Sequence, residues 1–265
     1  MELKKINTSR SRFANSLSRG LRILESFTQN SPHLSFSEIQ KKTHTPKSTV
    51  FRLLRILTEL NYLKYDAENK RYYLGPRVLS LGFSVLQSME TREIAKPFMQ
   101  RLSRECNKNV NLLMLDRQQM VFIEKIRVPS IRDFNISIGS SIPVHNTAPG
   151  RAVLGYLGKE KFEEIIQAIK KDPGAARQIG KNANRLIQLL NQVRKDGFAI
   201  NDEESSKGIR AIAVPIFSPD GIAFAIDIVV APEEVSVYEL RTKYAPKLIS
   251  TGREISEAMG WQWVS

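Results

Sequence analysis

The chain has 265 residues, enough for two ordinary domains and too many for one small module. Its hydrophobic fraction of 42% is that of a globular protein, and a single cysteine, Cys106, excludes a disulfide framework or a cysteine-rich zinc site. The net charge of +13 is unevenly placed: residues 1–80 carry 15 Lys/Arg against 6 Asp/Glu, residues 81–265 carry 25 against 21. An excess concentrated in less than a third of the chain is the electrostatic footprint of a protein that meets a polyanion.

Every apolar run falls short of the ~18 residues a membrane span needs, and the first residues lack a signal-peptide core. The expectation is a cytoplasmic protein with no membrane partner. Residues 1–17, with Lys4, Lys5, Arg10 and Arg12 among Ser and Asn, read as a flexible basic arm.

A first helix is predicted over 18–29, where Leu21, Leu24 and Phe27 recur at helical spacing beside Ile23, with a stop at Asn30-Ser31-Pro32. A second spans Ser35 to about Thr43, with Ser35 as N-cap and Glu38 at the capping-box position. After the break at Thr43-His44-Thr45-Pro46, Thr45 is the expected N-cap of a third helix and Pro46 its first residue. That helix runs to about Leu60. Its Val50, Leu53, Leu54 and Leu57 follow the i, i+3, i+4, i+7 rule and form a buried stripe. At about 100° per residue, Ser48, Arg52, Arg55 and Glu59 fall opposite.

Three helices with a tight turn before the third make a helix-turn-helix. The third would offer Lys47, Ser48, Thr49 and Arg52 to a major groove, hydroxyls for phosphates and Arg for a guanine edge. Taken alone, the same residues also describe a solvated helix face. Tyr62–Tyr65 and Arg71–Gly75 flank a polar turn and read as a β-hairpin. A hairpin directly after a recognition helix is a wing, with Lys70 and Arg71 expected at its tip.

Residues 76–90 contain an apolar helical stretch that reads as a linker helix pairing with its copy in a second subunit. The alternative is a core helix of the second domain. From residue 91 the texture changes. A helix over 91–107 precedes strands at 109–115, 119–127 and 133–138. Helices follow at 148–157, 159–171 and 182–196, with Gly197 just past the last as its C′ residue. Strands at 198–201, 210–217 and 222–230 come next, the final pair turning at Ser218-Pro219-Asp220-Gly221, then a closing helix at 233–259. Tight turns between strand pairs imply a largely antiparallel sheet with helices on its faces, an α+β domain.

Five stretches taken together resemble the IclR-type transcription regulators, over about residues 18–260 in one order. They are Ser18-Arg19-Gly20-Leu21-Arg22-Ile23-Leu24, Pro46-Lys47-Ser48-Thr49-Val50-Phe51-Arg52-Leu53-Leu54, and the Tyr72-Leu74-Gly75 end of the wing. The last two are Pro143-Val144-His145-Asn146-Thr147-Ala148-Pro149-Gly150-Arg151-Ala152, and Asp202-Glu203-Glu204 with Gly208 to Pro215. The resemblance implies an N-terminal winged helix-turn-helix (18–75), a linker helix (76–90) and a C-terminal profilin- or GAF-like sensor domain (91–265). It also implies a regulator, repressor by class, bound to palindromic operator DNA as a dimer or tetramer and answering a small carboxylate-bearing metabolite. Arg19 joins Lys47, Ser48, Thr49, Arg52, Lys70 and Arg71 as DNA-binding residues on that basis.

Carried over by position, the effector site comprises Ala148, Pro149, Gly150, Asn201, Ala211, Ile228 and Val230. Thr147 is the expected N-cap of the helix that follows, whose free N–H groups favour an anion, and Gly150 lets a ligand approach the backbone. Pro149 removes one of those donors. The largely apolar set points to a carboxylate with a sizeable apolar or aromatic body. Asp227, by strand alternation, points away from Ile226 and Ile228 and is expected to face solvent or a subunit. Arg210 is expected to pair with the 202–204 acidic run, and His145 to serve the backbone.

An enzyme is disfavoured: three His and one Cys in no metal-like spacing leave little for a triad or zinc site, and no phosphate-binding or dinucleotide fingerprint occurs. No cofactor is expected. The remaining alternative is a DNA-binding protein whose C-terminal domain only oligomerises.

Overall fold

The computed structural model describes residues 15–129, 134, 136–172, 176 and 183–263, which divide after Ser88 into two units. In the first, α1 occupies residues 15–25, so it begins and ends earlier than the expected 18–29. Ser26 Oγ donates to the Ile23 carbonyl at 2.7 Å and Thr28 bridges to Ser31, local bonds that close the helix before Phe27. Of the expected flexible arm, residues 15–17 are helical and 1–14 lie outside the described residues.

A two-residue strand β1 (Leu34–Ser35) leads into α2 (Phe36–Thr43). Its capping box forms: Ser35 Oγ accepts from the Glu38 amide at 3.3 Å, and the Glu38 carboxylate accepts from the Ser35 amide at 2.7 Å. In α3 (Lys47–Glu59), Pro46 is the cap and not the first helical residue. Thr45 caps nothing; its buried hydroxyl donates to the Thr43 carbonyl at 3.2 Å and braces the turn instead. Val50, Leu53 and Leu54 pack with Ile23, Phe27, Leu34, Ile39 and Leu63 into one core, partly covered by Leu57.

The wing hairpin, β2 (Leu63–Asp66) and β3 (Arg71–Leu74), is joined by β1 in a three-stranded antiparallel sheet of order β1-β3-β2. A two-residue strand has no alternation for sequence reading to detect. Gly75 ends the wing where a Cβ would lie 2.2 Å from the Asn61 carbonyl oxygen, so only glycine lets the chain close over the end of α3. Then comes α4 (Pro76–Ser88), in which no residue is buried and Leu79, Leu81, Phe83 and Val85 are exposed. A core helix would bury them.

The second unit starts with α5 (Glu90–Cys106), β4 (Val110–Asp116) and β5 (Gln119–Ile126). The strand expected at 133–138 is absent over 136–138, while 130–133 and 135 lie outside the described residues. The third strand is β6 (Ser141–Pro143), held by pairing with β5. Next come α6 (Ala148–Leu154), α7 (Lys159–Lys170), α8 (Ala183–Asp196), β7 (Ala199–Asp202), β8 (Arg210–Ser218) and β9 (Gly221–Val230). Gly197 follows α8 with φ +80°. The closing helix begins at Val237, not 233, because a second capping box, Ser236 with Glu239, starts it there. It runs through α9 (Val237–Glu239), a π-helical turn at Leu240–Tyr244 and α10 (Ala245–Ala258).

The six strands form one antiparallel sheet of order β6-β5-β4-β9-β8-β7. Register sorts its faces. Lys125, Asn111, Asp227, Ala213 and Ala199 stand in one cross-strand row. With Ala211 and Val229 they lie on the face that α6 covers through Ala148 and Ala152. The other face, with Leu112, Ile226, Ile228, Ile212 and Val214, belongs to α5 and α10; a Cβ on Gly252 of α10 would meet Val214 at 2.8 Å.

Candidate DNA interface and effector site

The outer surface of α3 is uncommitted. Lys47, Ser48 and Arg52 are exposed and Thr49 is half-buried. None of these side chains has a hydrogen-bond or ion-pair partner among the described residues. No side chain caps the start of the helix, which leaves its positive end to an anion. Arg55 reaches Glu59 at 3.5 Å, both well exposed, a pair worth little in water. Arg19, on α1, is half-buried.

The wing turn is tied by Asp66, whose carboxylate accepts from the Asn69 side chain at 2.7 Å and from the amides of Asn69 and Glu68 at 3.1 and 3.0 Å. These bonds, the Asn69 side chain first, hold the Asp66 carboxyl below the ordinary range. Lys70 is exposed there in a left-handed conformation, φ +53°. Arg71 departs from expectation. It sits opposite Ser35 of β1, donates to the His33 carbonyl at 2.9 Å and meets the Glu38 carboxylate at 3.3 Å. The third strand and the capping box have claimed its side chain, which ties the turn end of the wing to β1 and α2.

At the start of α6, Ala148, Pro149 and Gly150 are all buried. The space beside Gly150 belongs to the protein itself: a Cβ there would lie 2.0 Å from the Val144 carbonyl oxygen. The missing Cβ therefore serves this crossing. Thr147 holds the N-cap position without capping, since its hydroxyl donates to the Pro143 carbonyl at 2.6 Å.

Arg151, which the sequence reading did not single out, is the hub of this region. Only 4% exposed, it donates to the carbonyls of His145 and Ile200 and pairs with Glu204. Asn201 donates to the Asn146 carbonyl at 2.6 Å. The motifs at 143–152 and 202–215 are therefore clipped together at their near ends. A buried-type arginine between small residues in the first, and an acidic run in the second, was the available signal. Arg210 pairs with Asp202 at 2.6 Å, as expected.

Ile228 and Val230 do not join Ala148, Asn201 and Ala211. They project to the α5–α10 face, and β9 presents Asp227 and Val229 to α6 instead. A one-residue choice of face moves every side chain of a strand to the other side. Asp227 accordingly faces neither solvent nor a subunit; it is 1% exposed and accepts from Asn111 Nδ2 at 2.7 Å. Burial pushes its carboxyl up to about 7, against the opposing pull of the Asn111 bond and the Lys125 charge. The Asn111 side-chain oxygen, Oδ1, is buried with no hydrogen-bond partner among the described residues. Lys125 donates to the Ile136 carbonyl at 3.0 Å.

Among the described residues no group of three or more His, Cys, Asp or Glu is placed to hold a metal, and no helix is long and apolar enough to cross a membrane. A cleft of about 470 Å³ between the end of α5 and the end of β5, with Gln100, Arg104 and Arg127 in its wall, includes no residue of either motif.

A winged helix-turn-helix with an open basic surface, followed by an antiparallel sheet with a polar row beneath a helix start, is the build of a DNA-binding transcription regulator. Residues 16–67 match the IclR helix-turn-helix domain, and residues 83–257 match the family described as bacterial transcriptional regulator IclR C-terminal. The chain belongs to the IclR family, whose members are regulators and not enzymes. It is 28% identical over 247 residues to the HTH-type transcriptional regulator XynR of Escherichia coli (strain K12), 93% of this chain and 97% of that one. A crystal structure of an IclR family transcriptional regulator from Brucella abortus matches with a TM-score of 0.81 at 28% identity, covering 92% of each chain. An IclR homolog from Microbacterium hydrocarbonoxydans, complexed with 4-hydroxybenzoate, shares the fold with a TM-score of 0.71 at 21% identity, over 92% of this chain and 99% of that one.

Proposed function

We propose that this regulator reads a palindromic operator with residues 46–60 and the wing, as a homodimer or tetramer, and is governed by a small metabolite bound on the α6 face of the second unit. The observation that carries the reading is the division of α3. Its apolar stripe is consumed by the core, whereas Lys47, Ser48 and Arg52 stand in solvent without partners. Groups that position and read DNA have to be in that condition before DNA arrives. The uncovered Leu79, Leu81, Phe83 and Val85 of α4 support subunit pairing through that helix.

Paired subunits would hold two recognition helices ~34 Å apart, matching successive major grooves. An effector preferring one sensor arrangement shifts that spacing by no more than its differential affinity for the two states. The effector reading is a carboxylate on an apolar or aromatic body. Its carboxylate belongs at the α6 start. Calorimetry with 4-hydroxybenzoate and other aromatic acids against two- and three-carbon keto- and hydroxy-acids tests that class; tight binding of only the small acids overturns it.

For DNA, the protein is taken through selection on fragments of its own genome, and the winner is measured by anisotropy. Arg52→Ala should weaken specific binding by about 1–3 kcal/mol with the fold intact. Unchanged operator affinity in a folded variant would remove Arg52 from the reading.

A further inference from the structure

Phe51 occupies the second turn of α3 beside Arg52 and is 65% exposed. At about 100° per residue it lies on the arc between Lys47 and Ser48, one turn earlier, and Arg55, one turn later. The neighbouring core residues Val50, Leu53 and Leu54 all point inward. A large apolar ring in water forgoes the stabilisation of burial. Here it does so within the most basic exposed stretch of the helix.

The partner that would cover such a ring must tolerate Lys47, Arg52 and Arg55 around it. A protein surface would have to desolvate these cations without phosphates to meet them, whereas DNA supplies the phosphates. In the major groove the one apolar group that projects from a base is the C5-methyl of thymine. We propose that Phe51 is a specificity-determining residue whose ring packs on a thymine methyl in each operator half-site, next to the base that Arg52 reads. This rests on the operator reading above and adds one base to it. Arg52 would be satisfied by a guanine edge; Phe51 would demand a thymine adjacent to it.

The test uses the full-length protein and the selected operator, with each thymine replaced in turn, in both half-sites, by deoxyuridine, which lacks only the methyl. At one position the replacement should weaken wild-type binding roughly fourfold per half-site. Phe51→Ala should lose affinity for the thymine operator to at least that degree and lose nothing further on the deoxyuridine operator at that position. Its thermal transition and its oligomeric state should match the wild type. Losses that multiply independently at every thymine overturn the inference while leaving operator reading in place. So does a Phe51→Ala protein that binds the operator as wild type does, or one whose subunits separate, since the ring would then serve a protein contact. A wild-type protein that binds all fragments alike overturns the operator reading and this inference with it.

Discussion

The outer face of α3 and the start of α6 are both distinctive in sequence, yet they are built in opposite ways. On α3 the motif residues Lys47, Ser48 and Arg52 are exposed and bound to nothing among the described residues. At α6 the motif residues are buried and spent: Gly150 lies against the Val144 carbonyl, Arg151 is engaged by His145, Ile200 and Glu204, and Asn201 holds Asn146. A surface that reads a polyanion keeps its donors in water until phosphates replace the water. A motif inside a domain is recognisable because backbones cross there and buried polar groups need partners. Distinctiveness thus goes with free polar groups in the first region and with structural constraint in the second.

Substitutions can break or sharpen that contrast. The largest effect is expected at Gly150→Ala, whose new methyl must displace the Val144 backbone. Loss of about 5 kcal/mol, or failure of the second unit to fold, should appear in calorimetric unfolding. A variant of normal stability would show that the crossing is loose and reopen the glycine to a ligand role.

Asp227→Asn comes next and acts through pH. The folded carboxyl holds its proton to about pH 7, while in the unfolded chain it ionises near 3.8. The unfolded state therefore releases the proton first, and this group's contribution to stability is lost as pH rises from about 4 to about 7, then levels off. Asparagine removes that slope. The stability difference between variant and wild type should shift in favour of the variant by at most about 4 kcal/mol between pH 4 and pH 8. A difference independent of pH would mean that Asp227 titrates as an ordinary carboxylate.

At Arg52 the contrast predicts separation of binding from folding. Arg52→Ala, expected to lower operator affinity, should leave urea unfolding within about 0.5 kcal/mol of wild type. The smallest effect is expected for Ser35→Ala, which removes half of the α2 capping box and should cost the first unit about 1 kcal/mol. An undiminished melting transition would show that Arg71, also bonded to Glu38, holds the helix start without the hydroxyl.

Much of the first unit was legible because its determinants are local. The capping box needs only Ser35 and Glu38, the buried stripe of α3 only the spacing of Val50, Leu53 and Leu54, and the hairpin only a polar turn between aromatic runs. The unread parts turn on which of several partners, near or distant, wins a polar group. Thr45 and Thr147 have capping chemistry, but their hydroxyls find the carbonyls of Thr43 and Pro143. Arg71 was read as free to reach DNA because β1, thirty-odd residues upstream, left no trace in the pattern.

The sequence by itself determined the order of the long helices and strands, though not β1 or β6, and with it the inward face of α3 and the outward set Lys47, Ser48 and Arg52, since a helix with one apolar stripe can be oriented only one way. Which face of β9 meets α6 was decided by tertiary structure. Ile226 and Ile228 alternate with Asp227 and Val229, and alternation shows that the two sets part without showing which meets α6. In a sheet covered on both sides the apolar set need not mark the functional side. Pairing with Asn111 on β4 and Ala213 on β8, more than a hundred residues apart, turned the carboxylate inward beneath α6.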